Sequence, residues 1–165
     1  MGKFLRNNAG TLEEVLASQT GGAPAANTIP RLDGNGRLDA TMMPVGIGAD
    51  TAVITTGEAL SAGDYVNIYN NAGTPNVRKA DASNGRTADG FVLSSVANNA
   101  SATVYFEGTN TAVSGMTPGA FVFLSTAGAG TTTAPTTAGW ILQRVGKAIT
   151  ANNVNFEGGR AITLV

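Results

Sequence analysis

The residues that first invite chemistry are Asp33 and Asn35, set among glycines in Asp33-Gly34-Asn35-Gly36-Arg37. Spaced oxygens beside glycine are how a calcium loop begins. Such a loop takes ligands at positions 1, 3 and 5, a glycine at 6 and a bidentate glutamate at 12. Counted from Asp33, position 5 is Arg37, position 6 is Leu38 and position 12 is Pro44. A cation stands where a ligand belongs and the closing carboxylate is missing, so the segment reads as a glycine-rich turn. A second chemistry would use paired carboxylates. Glu107 and Glu157 occupy the same place in two similar phrases, Val-Tyr-Phe-Glu-Gly and Val-Asn-Phe-Glu-Gly, which invites comparison with a glycosidase pair. Residues before a turn glycine usually point to water, however, and the duplicated phrase accounts for their likeness without catalysis. Gly128-Ala129-Gly130-Thr131 lacks the lysine of a phosphate-binding loop. Trp140 and Phe156 are of a type that stacks on sugars, but both lie in β-type runs where a core position is the simpler reading. No active site assembles from these residues. The expectation is a chain that is not an enzyme and needs no metal or other cofactor.

Composition narrows the field further. The chain has no Cys and no His, which removes disulfides, thiolate chemistry, Ser-His or Cys-His catalysis and nearly all zinc or haem sites. Ten Lys and Arg balance eleven Asp and Glu, so there is no basic footprint for nucleic acid. No apolar run approaches the length of a membrane span, and the N-terminal residues lack the apolar core of a signal peptide. The expectation is a soluble protein, made without a secretion signal, that binds neither nucleic acid nor membrane.

The elements that would position any functional residue fall into two parts. Residues 1–50 read as an extended N-terminal arm with one short helix near 11–18. Thr11 stands as an N-cap with Glu14 three residues on, Leu12, Val15 and Leu16 form a short apolar stripe, and Gly21-Gly22 stop it. Beyond the glycines, Pro24, Pro30 and Pro44 keep the chain extended. Yet Ile29, Leu32, Leu38, Met42, Met43, Val45 and Ile47 recur through it like anchors. A disordered linker is the alternative, but linkers seldom carry so many large aliphatic residues. The expectation is an arm that docks on a partner.

Residues 51–165 read as a β domain, a compact barrel or sandwich. Short β runs (TAVITT, DYVNIY, VRKA, GFVLSSV, ATVYFE, AFVFLS, WILQRVGKAIT, NVNFE and RAITLV) alternate with turn signals such as NNAGTPN, ANNAS, EGTN and TAGAGT. The domain also repeats itself. LSAGDYVNIY from Leu60 aligns with MTPGAFVFLS from Met116, and the same offset of 56 sets Gly63 on Gly119, Val66 on Val122 and Gly90 on Gly146. The halves are about 51–108 and 109–165. An internal pseudo-twofold repeat of two small sheets, each with one apolar face, is the expected all-β architecture.

The phrases LDGNGRLDATMMP, LSAGDYVNIY, ADGFVLSSV, SGMTPGAFVFLS and QRVGKAIT resemble those of structural proteins of tailed bacteriophages. Closest in style are small capsid decoration, or cement, proteins. The resemblance implies a virion structural protein on the outer capsid surface, made in the host cytoplasm and bracing neighbouring copies of the major capsid protein. It also implies a homo-oligomer, with a trimer favoured, and carries no catalytic residues. This chain differs from the small single-barrel cements in its duplicated barrel and long arm. Similar β modules occur in phage tail fibres and baseplates, so the alternative expectation is a recognition module whose Thr- and Asn-rich loops meet host glycan.

Overall fold

The computed structural model describes residues 3–18, 29–34, 36–39, 42–43 and 49–165. The chain divides into two compact units, Met1–Gly48 and Ala49–Val165.

In the first unit, Lys3–Asn8 (β1) and Thr11–Leu16 (β2) form an antiparallel hairpin, with Lys3 facing Leu16 and Asn8 facing Thr11. The helix expected near 11–18 is therefore corrected to a strand. The physical reason is the turn that precedes it. Ala9 and Gly10 both have positive φ, +50° and +91°, which lets a two-residue turn match the twist of its strands. Asn7 Oδ1 accepts the Gly10 N–H at 2.8 Å and closes the turn locally. Once that turn forms, Thr11–Leu16 alternates across the hairpin instead of spiralling. Lys3 meets Glu14 at 3.0 Å and Arg6 meets Glu13 at 2.9 Å across the strands. The Thr11/Glu14 spacing that resembles a helix cap thus serves a cross-strand ion pair. Ser18 then bridges to Pro30: its N–H donates to Ile29 O at 3.0 Å and its carbonyl accepts from Arg31 N at 2.9 Å.

The second unit is all-β and contains a closed barrel. Thr51–Thr56 (β3), Tyr65–Asn71 (β4), Thr74–Lys79 (β5), Gly90–Phe91 (β6) and Ser101–Tyr105 (β7) close in the order β3-β5-β4-β6-β7. β3 completes the circle by lying antiparallel to β7 and, through Thr55 and Thr56, parallel to β5. Alternation puts Val66, Val77, Val92, Ala102 and Val104 inside, where they form one core with Leu60. The same alternation turns Tyr65, Phe91 and Tyr105 to the outside as one row across β4, β6 and β7.

A second sheet follows, built from Gly108–Asn110 (β8), Phe121–Leu124 (β9), Gly130–Thr131 (β10), Arg144–Thr150 and Asn153–Phe156. With Ile141–Leu142 as β11, the last two are β12 and β13, and Ile162–Thr163 is β14. The sheet runs β10-β9-β12-β13-β8 and stays open, while β11 and β14 pair by themselves. Its pairings repeat those of the barrel. Val66 faces Gly90 and Val122 faces Gly146; Tyr65 faces Phe91 and Phe121 faces Lys147. The Gly63 N–H donates to Val92 O and the Gly119 N–H to Ala148 O, both at 2.8 Å. Gly90 and Gly146 are required by close approach, since a Cβ would collide with Tyr105 O at the first and Asn155 O at the second.

Closure fails in the second sheet because its last strand is short. Register makes Thr109 the counterpart of Thr51, since they face Asn155 and Tyr105 respectively. The counterparts of Thr55 and Thr56 would then be Val113 and Ser114, but β8 ends at Asn110. The open concave side is filled instead by the barrel's outer aromatics. Tyr65 and Phe91 join Val122, Leu124, Val145, Val154 and Phe156 in a second core. Tyr65 stacks on Phe156 at 6.0 Å, and Phe91 lies 5.6 Å from the same ring. Buried Gln143 ties the parts further, donating from Nε2 to Ala88 O and Gly159 O (both 3.0 Å) and accepting the Ala88 N–H at 2.7 Å.

Candidate partner-binding surface

The anchor residues read from the sequence lie in the first unit. Ile29, Leu32, Leu38 and Met43 are exposed and Met42 is half-buried, whereas Val45 and Ile47 lie outside the described residues. Ile29 is positioned by its hydrogen bond to Ser18, which sets it beside the end of β2. Leu32 and Leu38 flank a turn that Asp33 closes twice. Its backbone N–H donates to Arg37 O at 2.8 Å, and its Oδ1 accepts the Arg37 N–H at 2.9 Å. The carboxylate considered for a metal is thus engaged in turning the chain. Among the described residues no group of three or more Asp and Glu is gathered as a metal site would need.

Sequence reasoning missed the hairpin's contribution to this surface. Register places Leu5, Asn7, Leu12, Glu14 and Leu16 with Lys3 on one face, and Phe4, Arg6, Val15 and Glu13 on the other. Leu5 is 70 % exposed, Leu12 69 % and Leu16 50 %. The opposite face is held by polar contacts: Arg6 and Asn8 both donate to the Glu13 carboxylate, at 2.9 and 2.7 Å. Those hydrogen bonds, Asn8 first, keep the Glu13 carboxyl below the usual glutamate range. The signal that would have found the hairpin is the pentapeptide Asn-Asn-Ala-Gly-Thr. It occurs at both 7–11 and 70–74, and at the second place it visibly joins two β runs.

The residues considered for chemistry are not brought together as a site. Glu107 and Glu157 are both exposed, and Glu157 pairs with Arg144 at 2.9 Å. Phe156 is buried under Tyr65, and Trp140 is half-buried against the same core. Gly130 and Thr131 form β10 beside β9. What the molecule presents is apolar surface on the N-terminal unit and a β domain whose large apolar residues mostly satisfy one another. Comparison with protein families, characterised proteins and solved structures finds no match for this chain.

Proposed function

We propose that this protein is a non-enzymatic virion structural protein that decorates the outer surface of a phage capsid and stabilises it by bridging coat subunits. The observation that carries the reading is the contrast in apolar burial between the units. The β domain buries two cores of its own, while Leu5, Leu12, Leu16, Ile29, Leu32, Leu38 and Met43 stand exposed in the N-terminal unit. An isolated two-stranded hairpin is marginal in water, and apolar surface of this kind marks a contact with another chain. Burying each leucine would contribute about 1.5–3 kcal/mol, enough in sum to hold an arm against a coat subunit. The partner in this reading is the major capsid protein, and the phrases that resemble those of cement proteins support that choice. Replacing Leu5, Leu12 and Leu16 together with Ser tests it. Co-sedimentation with capsids should be lost while the main thermal transition stays in place. Retained binding together with a collapsed transition would overturn the reading. Copy number then separates head from tail: hundreds per virion fit decoration, whereas a few dozen fit a recognition module.

A further inference from the structure

Only one side of β3 is bonded along its whole length. Toward β7 the even-numbered residues make the bonds. The Phe106 N–H donates to Asp50 O and the Thr56 N–H to Ala100 O, both at 2.9 Å, and the unbroken register between them sets Ala52 opposite Val104 and Ile54 opposite Ala102. Bonds to one neighbour recur at every second residue of a strand, so the N–H and C=O of Thr51, Val53 and Thr55 point the other way, toward β5. There the pairing is parallel and covers Thr55 and Thr56 alone, with the Gly57 N–H donating to Val77 O at 2.8 Å. Continued toward the start of both strands, this ladder needs an N–H at position 77 for Thr55 O, and then one at position 75 for Val53 O. Position 75 is Pro75, which has no N–H. The ladder stops there for a covalent reason.

Thr51 and Val53 are thus left with their β5-side backbone groups unpaired among the described residues. The side chain of Val53 is 71 % exposed, more than any other large apolar residue of the barrel. An open edge built from β-branched residues, with no charge or proline within Thr51–Thr56, is a template for one more strand. Edges of this kind take up an extended segment of a partner, and the backbone bonds supply the affinity.

We propose that the β3 edge at Thr51 and Val53 receives an extended segment of the coat subunit as an added strand. Continuity selects that occupant. β3 begins directly after the N-terminal unit, so a coat subunit held by exposed Leu38 and Met43 is tethered to the chain a short way before the edge, which raises its local concentration there. The inference rests on the decoration reading and adds to it a second contact, on the β domain.

Amide hydrogen exchange of the full chain, free and bound to capsids, tests it. In the free chain the Thr51 and Val53 amides should exchange quickly while those of Ala52 and Ile54 are protected, and in the complex Val53 should slow by about tenfold or more. Val53→Pro removes an N–H that the barrel does not use, as edge prolines do. Capsid co-sedimentation should then weaken by about tenfold or more with the thermal transition in place, whereas Val53→Ala keeps the N–H and should retain most of the binding. If Val53→Pro lowers the transition, exchange in the wild-type chain decides alone. A Val53 amide protected in the free chain overturns the proposal, and protection that grows with the concentration of the free chain overturns it by placing a second copy on the edge. Bound chain whose Val53 still exchanges quickly, or a folded Val53→Pro that binds like wild type, overturns it and leaves the decoration reading standing. A wild-type chain that fails to sediment with capsids overturns both together.

Discussion

The barrel and the open sheet are the instructive pair in this molecule. They share a strand order and a register, yet one finishes its own core and the other borrows part of one. At Val77 the barrel has a buried valine facing Ile68 across β4 and β5. Register gives Gly130 the same place opposite Leu124 in the open sheet. A Cβ on Gly130 would lie 2.9 Å from Tyr65 Cε2, so the aromatic ring occupies space that a side chain fills in the barrel. A sheet that cannot close need not stay unfilled; it accepts side chains from a neighbour's outer face. Equivalent positions then acquire opposite burial: Phe91 is buried, and its counterpart Lys147 is exposed.

That contrast sets the largest expected effect. Phe91→Ala should destabilise the β domain by about 3–5 kcal/mol, as large aromatic truncations in a core do. At the equivalent position Lys147→Ala should stay within about 0.5 kcal/mol. Urea denaturation of the two variants checks this, and similar midpoints would mean that the open sheet is not completed by the barrel. Next in size are the glycines at the matching β4–β6 and β9–β12 pairs. Gly146→Ala and Gly90→Ala both drive a methyl into a neighbouring carbonyl, and each should cost about 1–3 kcal/mol. Gly119→Ala meets open space and should cost only its positive φ, about 1–2 kcal/mol. Comparable thermal losses at 90 and 146 would sharpen the equivalence of the sheets, and a silent Gly146→Ala would break it.

The smallest effect concerns the repeated pentapeptide. Ala72 and Gly73 hold φ of +51° and +90°, close to Ala9 and Gly10 in the first hairpin. Asn70 Oδ1 accepts the Gly73 N–H at 2.7 Å, just as Asn7 serves Gly10. Asn tolerates the left-handed region better than Ala, so Ala72→Asn should raise the melting temperature of the β domain by about 2–4 °C. Ala9→Asn should leave that transition unmoved, because its turn belongs to the other unit. Differential scanning calorimetry separates the two outcomes.

Much of this fold was legible without coordinates, because strands with period-two alternation and turns rich in Gly and Asn are local features. Each β run named from the sequence overlaps a strand, from Thr51–Thr56 to Ile162–Thr163, although the strand at VRKA begins three residues earlier, at Thr74, inside the segment read as a turn. Within residues 51–165 the strands that were missed, Gly108–Asn110 and Gly130–Thr131, hide in EGTN and TAGAGT, which read as turns by composition. They pair only because β13 and β9 offer them open edges, a non-local cause. The helix misread at Thr11–Leu16 has the same origin. A capping-box spacing and a short stripe are compatible with either structure, and the decision fell to a turn that enforces pairing with Lys3–Asn8. The candidate surface was half legible: Ile29, Leu32, Leu38 and Met43 stood out by type, but Leu5, Leu12 and Leu16 share a face only once the hairpin exists.

By itself, then, the sequence determined the all-β character of residues 51–165, the spacing that pairs Val66 with Gly90 and Val122 with Gly146, and the absence of Cys and His chemistry. Each follows from residue type and short-range geometry. Only the tertiary structure decided that one sheet closes and the other does not, and that Phe156 is core while Phe121 is surface. Those outcomes depend on whether β3 and β8 reach β5 and β10 across the circle, and on which outer row a neighbouring sheet covers. Neither is a property of any segment alone, since burial is conferred by what packs on top.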